Sequence, residues 1–201
     1  MLMNNVFPND FYYKYHAPNA DQFINNLNKY TEKDIDNYPF QWGEECSVDR
    51  VPLKWEDYID LLTPSIDLLS DEIGSSFKYT IQNPWLNFYN RGSYQETHDH
   101  SNHDIACVFF VNNGENFSYL YFQDRNSNAI TPLLKPLLKH TNMYIPDIEA
   151  GDILFFPAHM LHGVTQQKSD VVRKSFAANL NISPETYNSL DYKNGKMVLT
   201  K

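Results

Sequence analysis

Apolar positions change their period once along the chain. Near the start Phe23, Leu27 and Tyr30 recur at spacings of four and three, the pattern of one buried helical face, with Asn19 placed to cap the first turn. A second helical region spans 55–73, where Ile59, Leu62, Ile66, Leu69 and Ile73 share a face. Pro64 falls inside it and is expected to break it, because proline lacks the N–H that a helix interior needs. Both helices are expected to pack on a sheet. From about residue 78 the period drops to two, in short runs rich in Phe, Tyr, Val and Ile separated by Asn, Gly, Pro and Asp.

The candidate strands are 79–89, 97–100, 105–111, 118–122, 142–146, 152–156, 162–166 and 173–182. Eight short strands suit a jelly roll, so the predicted fold is mainly β with N-terminal helices, of the cupin-like kind. Asn112-Asn113-Gly114 reads as a tight turn, and Ala150-Gly151-Asp152 as another before the apolar run Ile153-Leu154-Phe155-Phe156; both favour antiparallel pairing. Pro132, Pro136 and Pro146 punctuate an elaborated loop, and 124–141 is long enough to serve as a lid. The length fits one domain over 1–201, with a helical support region at 1–77, a β core at 78–182 and a C-terminal extension at 183–201.

Charge narrows the partners. Sixteen basic against twenty-five acidic side chains leave a formal net charge of −9, which disfavours nucleic acid and anionic membranes. Cys46 and Cys107, the two cysteines, are too few for a disulfide framework or a cysteine zinc site and are expected to be free thiols. No apolar run approaches about eighteen residues, and the start lacks the basic and apolar regions of a secretion signal. A cytoplasmic protein is expected.

Candidate chemistry comes from the histidines. Of seven, three lie in Thr97-His98-Asp99-His100-Ser101-Asn102-His103 and two in Pro157-Ala158-His159-Met160-Leu161-His162-Gly163. On a strand, residues two apart face the same side, so His98 and His100 can converge on one ion. His162, from a distant strand, would complete a three-ligand face that leaves positions open for a cosubstrate and dioxygen, as non-haem iron oxygenases require. His16, His103, His140 and His159 have no partner at comparable spacing and are expected to face solvent.

Arg173 begins a further apolar strand eleven residues after His162, and Ser175 shares its face. A guanidinium fork with a neighbouring hydroxyl suits the distal carboxylate of a 2-oxo diacid. On an earlier strand Trp85, Asn87 and Tyr89 also share a face, so Asn87 or Tyr89 can hydrogen-bond the oxo-acid while Trp85 lines the pocket. Tyr94, Phe109, Tyr119 and Tyr121 are further candidates for an aromatic lining.

In order along the chain stand Trp85-Leu86-Asn87-Phe88-Tyr89, Gly92, His98-Asp99-His100, Gly151-Asp152-Ile153-Leu154-Phe155-Phe156-Pro157, His162-Gly163-Val164 and Arg173-Lys174-Ser175-Phe176. This series resembles the 2-oxoglutarate/Fe(II)-dependent oxygenases, in the branch with a His-x-His motif, over roughly residues 80 to 182. The resemblance implies a double-stranded β-helix, Fe(II) as metal, 2-oxoglutarate and dioxygen as cosubstrates, succinate and carbon dioxide as coproducts, and hydroxylation as the reaction. The sequence departs from the broader superfamily at His100, where that pattern carries Asp or Glu. Asp99 would replace His100 as ligand if the strand ends or bulges at His98, and Asp104 if a loop folds back. Two rivals stand beside this reading: a cupin-like three-histidine metalloenzyme that does not use 2-oxoglutarate, and a non-catalytic metal-binding module. The primary substrate and the oligomeric state are not legible in the sequence.

Overall fold

The structure is a computed structural model, and it describes residues 10–35, 47–74, 77–125, 132–137 and 141–184. Two sheets face each other. The larger has six strands in the order β1-β8-β5-β10-β3-β2 and the smaller has four in the order β4-β9-β6-β7. The strands are β1 Tyr13–His16, β2 Asp49–Pro52, β3 Phe77–Tyr89, β4 Gln95–His98, β5 Ile105–Phe110, β6 Leu120–Gln123, β7 Met143–Tyr144, β8 Asp152–Pro157, β9 His162–Val164 and β10 Arg173–Pro184. All the pairings are antiparallel. Each candidate strand has a counterpart, and β1 and β2 are additions within the region expected to be helical. They are four residues each, too short for a firm period, and they cover the two edges of the larger sheet.

The larger sheet is buried on both faces, so β5 and β8 read as nearly continuous hydrophobic runs, while β3 and β10 carry the buried polar residues Asn87, Arg173, Ser175 and Asn179. On β10, Phe176, Ala178 and Leu180 turn to a core shared with α1 (Ala20–Leu27) and α2 (Ile59–Ile73), where Phe23 stacks on Phe109 at 4.3 Å between ring centroids. On β8, Ile153 and Phe155 join that core, whereas Leu154 and Phe156 turn to a second core between the sheets with Phe110, Leu120 and Phe122. The site grows from this inner face.

Three details differ from expectation, each for a local reason. Asn19 occupies the cap position of α1, but its side-chain amide donates to the Leu61 carbonyl at 3.0 Å, tying the two helices together rather than capping. Pro64 does not break α2. The carbonyl it leaves without a partner belongs to Asp60, which is exposed to water, so the loss is cheap. Asn112-Asn113-Gly114 is not a hairpin: β5 and β6 lie in different sheets. The asparagines instead bind neighbouring segments, Asn112 accepting from the Lys174 N–H at 2.8 Å and Asn113 from the Ala150 N–H at 2.7 Å. Of the 124–141 stretch, the described part includes the short helix α3 (Leu134–Leu137), while 126–131 and 138–140 lie outside the described residues, as do Cys46 and His140. Among the described residues no helix is long and apolar enough to cross a membrane.

Candidate metal and oxo-acid site

His98 and His162 are direct partners across the β4–β9 pair, so both side chains leave the same face of the smaller sheet. The β4 register slips between Gln95 and His98, and the strand ends at His98. His100, expected as the last residue of this strand and on the face of His98, instead lies two residues beyond its end, where the chain turns. Its N–H donates to the Ala158 carbonyl at 2.7 Å, which anchors it to the end of β8. The result is convergence: one ring nitrogen from each of His98, His100 and His162 lies within 4.8 Å of the other two.

The other ring nitrogen of each is held by an acceptor. His98 Nδ1–H donates to the Glu96 carbonyl at 2.9 Å and His162 Nδ1–H to the Met160 carbonyl at 2.9 Å, while His100 Nδ1–H donates to Asn179 Oδ1. Acceptors of this kind hold the proton on Nδ1 and turn each Nε2 lone pair toward the shared point, although at His98 that atom also lies 3.1 Å from Gln95 Nε2. His98 and His100 present these atoms 3.1 Å apart. Two donors about 2.1 Å from a shared ion, at right angles, stand about 3.0 Å apart, so the spacing fits octahedral coordination.

Electrostatics point the same way. Burial lowers the pKa of all three histidines: His98 falls below its ordinary value, His100 to about 4 and His162 to about 3. All three are neutral near pH 7, the form that binds metal. Phe156 packs edge-on against His162 at 4.9 Å and walls the site on one side.

The competing carboxylates are engaged elsewhere. Asp99 points away to an ion pair with Arg125 and to hydrogen bonds from Ser101, which hold its carboxyl below the usual carboxylate range. Asp104 accepts the Ile182 N–H at 2.9 Å. The strand does end at His98, as the Asp99 alternative required, yet the turn brings His100 and not Asp99 to the cluster. His16 and His159 are exposed, and His103 is half-buried with its ring 3.1 Å from Asn181 Oδ1, which corrects its expected full exposure.

Across the larger sheet, register aligns the oxo-acid candidates. Ser175 pairs with Asn87, and Arg173 with Tyr89. All four are buried. Asn87 donates to Ser175 Oγ at 3.4 Å and accepts from the Trp85 indole at 3.0 Å. The Arg173 guanidinium lies over the Tyr89 ring at 4.8 Å, and its Nη1 is buried with no hydrogen-bond partner. Burial lowers its pKa, which Tyr89 partly opposes. Among the described residues it makes no ion pair with a carboxylate. A buried guanidinium with an unpartnered Nη1 carries a donor that a carboxylate could satisfy.

Of the suggested aromatic lining, Phe109 belongs to the helix-side core and Tyr119 is exposed. Tyr121 is half-buried, with its hydroxyl 2.8 Å from Thr97 Oγ1. Sequence reasoning missed Asn179, Gln95 and Arg50. Asn179 was detectable as a polar residue in an apolar strand, on the face of Arg173 and Ser175. Gln95 joins the Tyr89 hydroxyl at 3.1 Å to His98 Nε2 at 3.1 Å, a link created by the bulge and invisible to a two-residue period.

Two facing antiparallel sheets with three converging histidines and a buried arginine between them define a double-stranded β-helix with a candidate metal centre. Residues 83–179, close to half of the chain, match the family described as "Putative 2OG-Fe(II) oxygenase". No curated protein matches the chain. Solved structures share the fold. The non-heme alpha ketoglutarate dependent epimerase SnoN from nogalamycin biosynthesis has a TM-score of 0.61 at 11% identity, over 89% of this chain and 80% of that one. HygX from Streptomyces hygroscopicus, with nickel and 2-oxoglutarate bound, has a TM-score of 0.58 at 10% identity, over 91% and 86%. A Pseudomonas putida prolyl-4-hydroxylase has a TM-score of 0.58 at 10% identity, over 85% and 92%. The family match and the shared fold indicate a 2-oxoglutarate-dependent oxygenase.

Proposed function

We propose that His98, His100 and His162 ligate Fe(II), that Arg173 and Ser175 hold the distal carboxylate of 2-oxoglutarate, and that the enzyme hydroxylates its primary substrate. The observation that carries this reading is the set of three Nδ1 protons, each committed to an acceptor, which leaves the Nε2 atoms turned to one point.

When bound, iron and 2-oxoglutarate supply dioxygen activation coupled to oxidative decarboxylation, which leaves succinate, carbon dioxide and an oxidised substrate. The chain's own part is to bind, orient and exclude water. Neutral histidines offer lone pairs without first losing a proton, because burial has already expelled it. Asn179 and the Glu96 and Met160 carbonyls keep those rings from turning. The Arg173 fork offers Nη1 to a carboxylate, and Ser175, steadied by Asn87, offers a hydroxyl beside it. Tyr89 and Phe110 lie against the guanidinium and keep it dry, which strengthens the pairing.

The test needs no substrate. Anaerobic protein with Fe(II) and 2-oxoglutarate is expected to show the weak visible charge-transfer band of their chelate. The band should vanish in His162→Ala, and Arg173→Ala should need roughly 10- to 100-fold more 2-oxoglutarate to reach it. One bound iron per chain without a band would reject this assignment of the site.

A further inference from the structure

Arg50 is the charged residue at the site that the oxygenase reading leaves without work. It stands on β2, at the edge of the larger sheet, directly opposite Asn87. Directly opposed residues of an antiparallel pair share a face, so the row Arg50, Asn87, Ser175 runs across three strands toward the oxo-acid position. The Arg50 guanidinium lies 5.6 Å from the centre of the Trp85 ring, and Trp85 lies 5.9 Å from the His100 ring. Its Nε is buried with no hydrogen-bond partner. Its charge is felt at the metal face, lowering both His98 and His100.

Among the described residues Arg50 makes no ion pair with a carboxylate. Glu96 has a buried carboxylate oxygen that itself lacks a hydrogen-bond partner, and Asp99 is taken by Arg125. The three-histidine face brings no negative charge, unlike a face with a carboxylate. Fe(II), Arg173 and Arg50 together outweigh the two carboxylates of 2-oxoglutarate, so the loaded site keeps a positive surplus on the Arg50 side. Two strand spacings, about 10 Å of backbone, separate Arg50 from Ser175, and in register Arg50 faces Asn87 whereas Arg173 faces Tyr89.

We propose that Arg50, seated on the indole of Trp85 at the open edge of the site, binds a carboxylate or phosphate group of the primary substrate. The inference rests on the iron and 2-oxoglutarate assignment above and names the substrate class for that site: an anion, held against an aromatic ring, with its reacting carbon turned toward the histidines. Trp85 then serves both groups, stacking the guanidinium and offering an apolar wall to the substrate.

The experiment uses protein loaded with Zn(II) and 2-oxoglutarate, and ligand-observed NMR with three probes: benzoate, phenyl phosphate and neutral benzyl alcohol. Wild type should bind one or both anions and not the alcohol, with the stronger anion identifying carboxylate or phosphate as the recognised group. Arg50→Ala, and Arg50→Gln as a variant that keeps the packing of the stem, should each weaken that binding about ten-fold or more. The Fe(II)–2-oxoglutarate band of both variants should appear at the wild-type 2-oxoglutarate concentration. Equal anion binding in wild type and variants overturns the proposal, as does a wild type that does not prefer the anions. A raised 2-oxoglutarate requirement in the variants also overturns it, because it assigns Arg50 to the cosubstrate. A wild type with no chelate band fails the underlying reading instead, and this one with it.

Discussion

His100 Nδ1 lies 2.5 Å from the side-chain oxygen of Asn179, across seventy-nine residues of sequence. That contact turns a histidine beyond the end of a strand into a fixed donor. Asn179 sits where the β3–β10 register slips between Ala177 and Asn179, and β3 carries Pro84 at that irregularity. Proline is tolerated inside a strand at such a place because the ladder already lacks a hydrogen bond there.

Removing this acceptor should release the His100 ring. Asn179→Ala is expected to weaken Fe(II) binding roughly 10- to 100-fold, the usual cost of losing a group that orients a ligand. Asn179→Asp should retain tight binding, since a carboxylate accepts the same proton. Metal affinity measured by competition with a chromophoric chelator checks both, and equal affinities for wild type and Asn179→Ala would contradict the role.

Arg173 illustrates a conflict between stability and binding. A buried guanidinium with an unpartnered Nη1 costs free energy in the ligand-free protein. Arg173→Met should leave the apo protein as stable as wild type or more so. It should also abolish the thermal stabilisation by 2-oxoglutarate, which for wild type reaches about 2.7 kcal/mol at a hundred times Kd. Thermal melts of both proteins, with Fe(II) and with and without the oxo-acid, read out the two effects together.

Gly163 is required by close approach rather than by backbone angle. A Cβ there would meet the Tyr121 hydroxyl at 2.5 Å and the Gln95 carbonyl at 2.9 Å, since β9 is wedged between β4 and β6. Gly163→Ala is expected to cost about 1–3 kcal/mol in urea unfolding. Because Gly163 follows His162, it should weaken metal binding as well, and an unchanged metal affinity would show that the strain relaxes away from the ligand.

The buried histidines set a pH dependence for the metal-free protein. His162 is neutral when folded down to about pH 3, but takes up a proton below about 6.5 when unfolded. The unfolded state then binds more protons, so stability is full above about pH 6.5 and falls as pH drops toward 3. The slope from His162 is up to about 1.4 kcal/mol per pH unit, and His100 adds to it down to about pH 4. Urea midpoints of wild type and His162→Asn between pH 7 and pH 5 test this: the variant should show the shallower decline.

The sequence by itself determined the class of fold and the chemical participants. Two-residue alternation marks Arg173 with Ser175, and Trp85 with Asn87 and Tyr89, because a strand turns every second side chain to one face. Clustered histidines ahead of and behind separate strands announce a metal, because few other uses need them twice. The tertiary structure alone decided which side chains meet. A bulge in β4 sets Gln95 beside His98, a turn brings His100 to the cluster and sends Asp99 to Arg125, and the register of β2 against β3 puts Arg50 in the row of Asn87 and Ser175. These outcomes depend on contacts between residues far apart in sequence, and a one-residue slip reverses the face of a strand. Local periodicity carries no record of such slips, so the histidines, Arg173, Ser175 and Asn87 were legible, while Asn179, Gln95, Arg50 and the geometry of the whole were not.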